Sequence, residues 1–155
     1  MAFIRLKKIS GKQYAVLVEN TWTSKGPRQS AKKYLGRYVA LTTEGMPEVE
    51  QLDVANLIKA ELLTAGFSEQ LTRENIKVSL RACTVREGRK RVVLGLNGGF
   101  LCDYTLRQLL RFQPIEELTP GYKFARAFSD AGVRVSREQF VMLYKKVYKK
   151  QAQPA

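Results

Sequence analysis

Basic side chains interleave with aromatic ones through residues 1–40. The basic members are Lys7, Lys8, Lys12, Lys25, Arg28, Lys32, Lys33 and Arg37, and the aromatic members are Tyr14, Trp22, Tyr34 and Tyr38. Lysine and arginine contact phosphates, which supplies affinity without reading a base sequence. Aromatic rings on a strand can stack on unpaired bases, although cross-strand packing is the commoner role for them. The pattern therefore predicts a phosphate-binding surface, with Tyr34 as a candidate stacking residue.

A second basic group surrounds a predicted turn and consists of Arg86, Arg89, Lys90 and Arg91. Cations around a protruding turn suit insertion into a groove or between phosphates. A solvated turn without a ligand is an equally good interpretation. The lysines in YKKVYKK, residues 144–150, are more typical of a solvated helix face.

The basic residues are unevenly distributed along the chain. Of 155 residues, 27 are basic and 14 acidic, a net charge of +13. Residues 1–40 hold nine basic and one acidic residue (+8), whereas residues 41–75 hold two basic and seven acidic residues (−5). Residues 76–114 and 115–155 are again basic, at +6 and +4. A domain this basic repels itself unless an anion compensates, so the composition favours nucleic acid over an acidic protein or an anionic membrane as the partner.

Few residues are candidates for catalysis. The chain has no histidine, and Asp53, Asp103 and Asp130 are not spaced to pair with another carboxylate on a helix or strand. Without histidine, Cys83 and Cys102 cannot complete a zinc site of the usual Cys/His type. We therefore expect no enzymatic activity, no metal and no cofactor.

Part of the basic N-terminal segment resembles a known family. Residues 13–39 are similar to the three-stranded N-terminal segment of some insertion-sequence transposases of the DDE type, and to the start of short archaeal proteins. The matching residues are Tyr14, Leu17, Val18, Glu19, Asn20, Gly26, Arg28, Gln29, Tyr34, Leu35, Gly36 and Arg37. The resemblance implies a nucleic-acid-contacting module. The residues that follow are too few for a ribonuclease-H-like catalytic domain, so the resemblance does not imply transposition chemistry.

Hydrophobic patterning indicates the elements that position these residues. Residues 2–9, 12–22 and 29–41 are rich in aromatic and β-branched residues and are separated by Ser10-Gly11 and by residues 24–27, which predicts an antiparallel meander. Residues 76–85 and 90–96 are predicted as a hairpin joined by residues 86–89.

Helical patterns fill most of the remainder. A helix is predicted over 52–65 with Gly66 as its stop, and a short helix near 103–112 follows the turn Asn97-Gly98-Gly99. Thr119-Pro120 and Gly132 bound a third helix, and a capping box of Ser136 and Gln139 begins the last one.

The predicted fold class is α+β, with an N-terminal antiparallel three-stranded meander, a central helix, a β-hairpin and three C-terminal helices. The predicted units are a basic meander at 1–40, an acidic linker at 41–51, an α+β domain at 52–150 and a flexible tail at 151–155. The meander is a candidate semi-independent subdomain.

The predicted function is non-enzymatic binding of nucleic acid, with structured or ribosomal RNA, including a larger ribonucleoprotein, nearly tied with duplex DNA. An adaptor that docks an acidic protein is the alternative, and a nuclease-type enzyme is a weaker one. The sequence contains neither a signal-peptide core nor an apolar run of transmembrane length. We therefore expect reduced cysteines, a cytoplasmic location and no membrane partner.

Overall fold

The computed structural model describes residues 2–65, 73–113 and 120–152, and it confirms the α+β class. The strands are β1 (Ala2–Ile9), β2 (Lys12–Thr23), β3 (Gly26–Ala40), β4 (Ile76–Ser79), β5 (Thr84–Glu87), β6 (Lys90–Leu96) and β7 (Gly99–Leu101). The helices are α1 (Val54–Thr64), α2 (Asp103–Leu110), α3 (Pro120–Ala131) and α4 (Arg137–Ala152). None of the described helices is long and apolar enough to cross a membrane.

The first three strands form the predicted antiparallel meander. Ile9 pairs with Lys12, so Ser10 and Gly11 alone make the first turn, and both have positive φ, 51° and 82°. Such a turn matches the twist of its flanking strands, and glycine adopts its conformation without a steric penalty. The turn therefore sets the register of β1 against β2.

A parallel pair, absent from the prediction, connects the meander to the rest of the sheet. Residues 37–40 of β3 pair with residues 92–95 of β6, which gives the strand order β1-β2-β3-β6-β5-β4, with β7 also on β6. Gly36 lies just before this pair with φ 142°, and a Cβ there would be 2.6 Å from the carbonyl carbon of Arg91. Glycine is therefore required for β3 to approach β6 this closely. The meander and the segment 52–150 contribute strands to one sheet.

The segment 76–85, predicted as one strand, is two strands that pair antiparallel. Ser79 Oγ accepts a hydrogen bond from Ala82 N at 3.2 Å, and Cys83 has a φ of 55°. A turn closed by a serine side chain competes with continuation of the strand, so β4 ends at Ser79 and β5 begins at Thr84.

Two turns near β6 also differ from the prediction. The turn between β5 and β6 consists of Gly88 and Arg89 alone, so Arg86 lies inside β5. The turn at Asn97 and Gly98 leads first into β7, a strand that the prediction omits, and only then into α2. Three residues are too few for hydrophobic patterning to reveal a strand.

The larger hydrophobic core packs residues of β3, β5 and β6 against side chains of all four helices. An apolar stripe of α3 is buried and consists of Phe124, Ala127, Phe128 and Ala131. The apolar stripe Phe140, Leu143, Tyr144 and Val147 of α4 packs on the same core. Phe124 is fully buried, which stabilises the fold by about 2 kcal/mol.

A smaller core lies beneath one face of the meander. Its buried members are Ala15, Leu17, Leu35, Val93 and Cys102, and Tyr104 at the start of α2 packs against them. This face of the meander is therefore covered.

The described helix ends follow the predicted capping. Gln139 N donates to Ser136 Oγ (3.1 Å), Ser136 N donates to Gln139 Oε1 (3.0 Å), and Gly132 ends α3 with a φ of 74°. The predicted cap Thr119 and stop Gly66 lie outside the described residues. α4 extends two residues into the predicted tail 151–155, and residues 153–155 also lie outside the described part.

Candidate nucleic-acid interface

The other face of the meander carries basic and aromatic side chains in rows that cross all three strands. Lys7 pairs with Tyr14, which pairs with Arg37, and Arg5 pairs with Val16, which pairs with Tyr34. Directly paired residues project to the same side of a sheet, so each row shares one face. We call the surface formed by Arg5, Lys7, Tyr14, Tyr34 and Arg37 the open face, because Arg5, Lys7 and Tyr34 are exposed on it.

The two tyrosines lie next to each other in the middle of the open face. Their ring centroids are 6.0 Å apart with an interplanar angle of 43°, and Tyr34 is 51% exposed. Partial burial and the neighbouring Tyr14 raise the pKa of Tyr34, so its phenol stays neutral at physiological pH. A neutral, half-exposed ring flanked by cations offers a stacking surface that does not repel phosphate.

Contacts within the protein hold Arg5 and Arg37 of the open face in place, as well as Arg91 of the neighbouring strand β6. Arg5 Nη1 donates to Gln29 Oε1 at 2.9 Å, and Arg91 Nη1 reaches the carbonyl oxygen of Tyr34 at 3.5 Å. Arg37 forms an ion pair with Glu87, which neutralises part of its charge. Arg5 was absent from the predicted site, although the alternation Phe3, Arg5, Lys7 along β1 could have revealed it.

The structure divides the predicted basic residues between two faces. Lys8 follows Lys7 directly, and Lys33 pairs with Leu17, so both project to the face that carries the smaller core. Lys32 forms an ion pair with Glu19, and its hydrogen bond lowers the pKa of that carboxyl group. Lys8, Lys32 and Lys33 therefore do not belong to the open face.

β2 and β3 continue as a two-stranded ribbon beyond the end of β1. Ala2 pairs with Glu19, so residues 20–29 have no third strand beside them within the described sheet; we call this segment the ribbon. Trp22 pairs with Pro27 near the tip and is 85% exposed. Lys25 and Arg28 are also exposed, and Thr23 Oγ1 donates to the carbonyl oxygen of Gly26 at 2.8 Å to close the turn.

The second predicted basic group, Arg86, Arg89, Lys90 and Arg91, lies only partly at a turn. Arg89, Lys90 and Arg91 are exposed at the β5–β6 turn and next to it. Arg86 instead forms an ion pair with Asp103 across 2.6 Å, and 28% of its side chain is exposed. Lys12 lies exposed at the first turn of the meander, beyond Lys7.

The described carboxylates near these cations are engaged with the protein itself. Asp103 also accepts a hydrogen bond from Val85 N at 2.9 Å. Burial opposes its ionisation, but this bond and the one from Arg86 hold its pKa below the ordinary value. In the described residues, no group of three or more histidine, cysteine or acidic side chains is arranged to hold a metal ion. Cys83 and Cys102 are free thiols buried in separate cores.

The chain matches no protein-family model, no curated protein and no solved structure. The resemblance of residues 13–39 to transposase segments therefore stays a prediction.

Proposed function

We propose that this protein binds nucleic acid without acting on it chemically, through the open face and the ribbon. The observation that carries the proposal is the pair of transverse rows Lys7–Tyr14–Arg37 and Arg5–Val16–Tyr34, which present cations and a half-exposed ring on one side of a rigid sheet. Side chains fixed by a sheet lose less entropy on binding than side chains of an unstructured tail.

The cations supply the affinity. Arg5 and Lys7 lie on the edge strand β1, Lys12 lies at the first turn of the meander, and Lys25 and Arg28 extend the basic surface along the ribbon. Together with Arg37, these residues suit contact with about 5–8 phosphates, which sets the expected salt dependence.

The exposed rings favour unpaired bases. Trp22 and Tyr34 are both exposed to solvent, and stacking of such a ring on a base contributes about 1–3 kcal/mol while tolerating any base. Structured RNA offers such bases in loops and bulges, and its deep major groove does not admit a ribbon. The DNA major groove, about 12 Å wide, does admit one. Comparing the affinities for structured RNA and for duplex DNA therefore distinguishes stacking on unpaired bases from insertion of the ribbon into the major groove.

The proposal includes a reducing, cytoplasmic compartment and no catalytic step. Both thiols are free and buried, which fits a reducing environment. Of the carboxylates, Asp103 is bound to Arg86 and Glu61 to Arg134, an arrangement that fits structural roles.

The test is a titration of the full chain with a labelled RNA hairpin, a single-stranded DNA and a duplex DNA over a range of salt concentrations. We expect log K to fall linearly with log salt, with a slope set by about 5–8 neutralised phosphates. Poly-glutamate serves as the competitor for the adaptor alternative. Affinity that does not change with salt, or displacement by poly-glutamate as effective as displacement by polynucleotide of equal charge, would overturn the proposal.

A further inference from the structure

A cleft separate from the open face lies between the first residues of β1, the strand β7 and the helices α2 and α3. Its volume is about 750 Å³, within the range of pockets that bind small molecules. Its walls come from segments that are far apart along the chain, so no local sequence pattern indicates it.

Cations from two helices line the cleft. Arg107 and Arg111 lie one turn apart at the end of α2, and Lys123 and Arg126 of α3 also line the cleft. Asp130 is the single acidic residue among the described lining residues, and its Oδ2 is 3.6 Å from Arg126 Nε. Among the described lining residues, positive charges therefore outnumber negative ones, and an anion in the cleft would compensate them.

Aromatic side chains line the same cleft. Phe100 and Tyr104 are half-buried there, and Phe112 stacks on the buried ring of Phe124 with centroids 4.6 Å apart. Rings held by packing give a flat ligand a fixed apolar surface. A cleft with aromatic side chains and several cations suits a ligand that combines a flat ring with a phosphate.

We infer that this cleft binds a nucleotide, with its phosphate near Arg107 and Arg111 and its base against Tyr104 and Phe112. The nucleotide is either a free mononucleotide or the phosphorylated end of a bound strand. The second source, the phosphorylated end of a strand bound on the meander, would lie close to the cleft, because Phe3 of the edge strand β1 lines the cleft and lies between Arg5 and the ribbon. That source depends on the proposed function, whereas the first does not.

The experiment measures binding of AMP, adenosine and inorganic phosphate to the full chain by calorimetry. It also compares a single-stranded oligonucleotide that bears a terminal phosphate with the same oligonucleotide without it. We expect at least one of two results: AMP binds more tightly than adenosine and inorganic phosphate, or the phosphorylated oligonucleotide binds more tightly than the unphosphorylated one. Binding of AMP alone identifies a free nucleotide, and a preference for the phosphorylated strand identifies a strand end. The inference is overturned if AMP binds no more tightly than adenosine and the terminal phosphate does not increase the affinity of the oligonucleotide. It is also overturned if inorganic phosphate binds as tightly as AMP.

Variants separate this site from the open face. The double variant Arg107→Ala with Arg111→Ala should weaken the favoured ligand about tenfold or more, as expected for losing a charge-assisted hydrogen bond. The control is Lys59→Ala with Lys145→Ala, which removes the same charge from exposed positions on α1 and α4. Salt-dependent binding of duplex DNA or of a blunt RNA hairpin without a terminal phosphate should persist in both variants. If that binding is absent even from the unmodified chain, the proposed function fails, and the AMP measurement still decides the cleft. Equal weakening by both double variants would contradict a site in the cleft.

Discussion

Arg134 binds the buried carboxylate of Glu61 through three hydrogen bonds. Arg134 donates from its backbone N to Oε2 at 3.0 Å, and from Nε and Nη2 to Oε1 at 3.0 and 2.8 Å. Asn97 Nδ2 donates to the same Oε1 at 2.9 Å, and only 1% of the Glu61 side chain is exposed. The pair therefore joins α1 to the β6–β7 turn and to the segment that connects α3 with α4.

Replacing Arg134 should destabilise the fold strongly. Arg134→Ala leaves a buried carboxylate without its cation, and breaking such a pair costs about 3–5 kcal/mol. Urea denaturation followed by circular dichroism measures the free energy of unfolding. The control is Arg137→Ala, which removes an exposed arginine three residues away and should change stability by about 0.5 kcal/mol or less. Similar losses in the two variants would show that the Glu61 pair contributes little.

The stability of the protein should fall in acid, and Arg134 should control part of that fall. Burial alone would raise the pKa of Glu61, but the hydrogen bonds from Arg134 and Asn97 outweigh it and hold this pKa below 4.5. The unfolded chain then takes up the proton more readily, so this contribution is complete above pH 4.5 and is lost as the pH falls through the folded pKa. Thermal melts at a series of pH values should show that the stability lost in Arg134→Ala becomes smaller in acid. A deficit independent of pH would contradict the linkage.

The two faces of the meander should differ in nucleic-acid binding. Arg5→Glu with Lys7→Glu reverses two charges on the open face, and Lys8→Glu with Lys33→Glu reverses two exposed charges on the opposite face. We expect the first pair to weaken binding far more and to reduce the salt slope by about two, one for each phosphate contact. Anisotropy titrations at several salt concentrations measure both quantities. A larger loss from the second pair would place the binding surface on the other side of the sheet.

Trp22 should contribute stacking energy and report on binding. It is the single tryptophan of the chain, so its fluorescence comes from the ribbon alone, and its emission in the free protein should resemble that of a solvated indole. Single-stranded ligands should quench that emission. Trp22→Ala should reduce single-strand affinity by about 1–3 kcal/mol while leaving the melting temperature unchanged. Tyr122→Ala removes another exposed aromatic ring, on α3, and should leave the affinity intact. Unquenched emission at saturation would exclude contact with the ribbon tip.

Gly36 should tolerate no side chain. Gly36→Ala places a Cβ against the carbonyl group of Arg91 in a conformation that L residues rarely adopt, so we expect a loss of about 3 kcal/mol or more. Gly11→Ala also meets a positive φ but has open space around it, so its cost should be about 1–2 kcal/mol. Chemical denaturation of both variants measures the difference. Equal losses in the free energy of unfolding would mean that β3 can move away from β6 without a loss of stability.

Local patterning was sufficient to predict much of the fold. The three N-terminal strands follow from alternation and from turn residues such as Ser10 and Gly11, and the start of α4 follows from the Ser136–Gln139 capping box. These features depend on residues within a few positions of one another, where side-chain period and backbone preference are decisive. The concentration of positive charge in residues 1–40 is likewise a property of sequence alone.

Tertiary structure decided which of those cations share a surface. Successive strand residues project to opposite faces, so Lys7 and Lys8 separate. The register shift between Ala15 and Val16, which leaves Leu35 without a partner in β2, puts Lys33 and Arg37 on opposite faces although simple alternation would put them on the same one. Glu61 and Arg134, 73 positions apart, and the cleft between α2 and α3 arise from contacts between distant segments. The same holds for the parallel pairing of β3 with β6. Such contacts depend on how elements pack together, and local sequence patterns do not encode that packing.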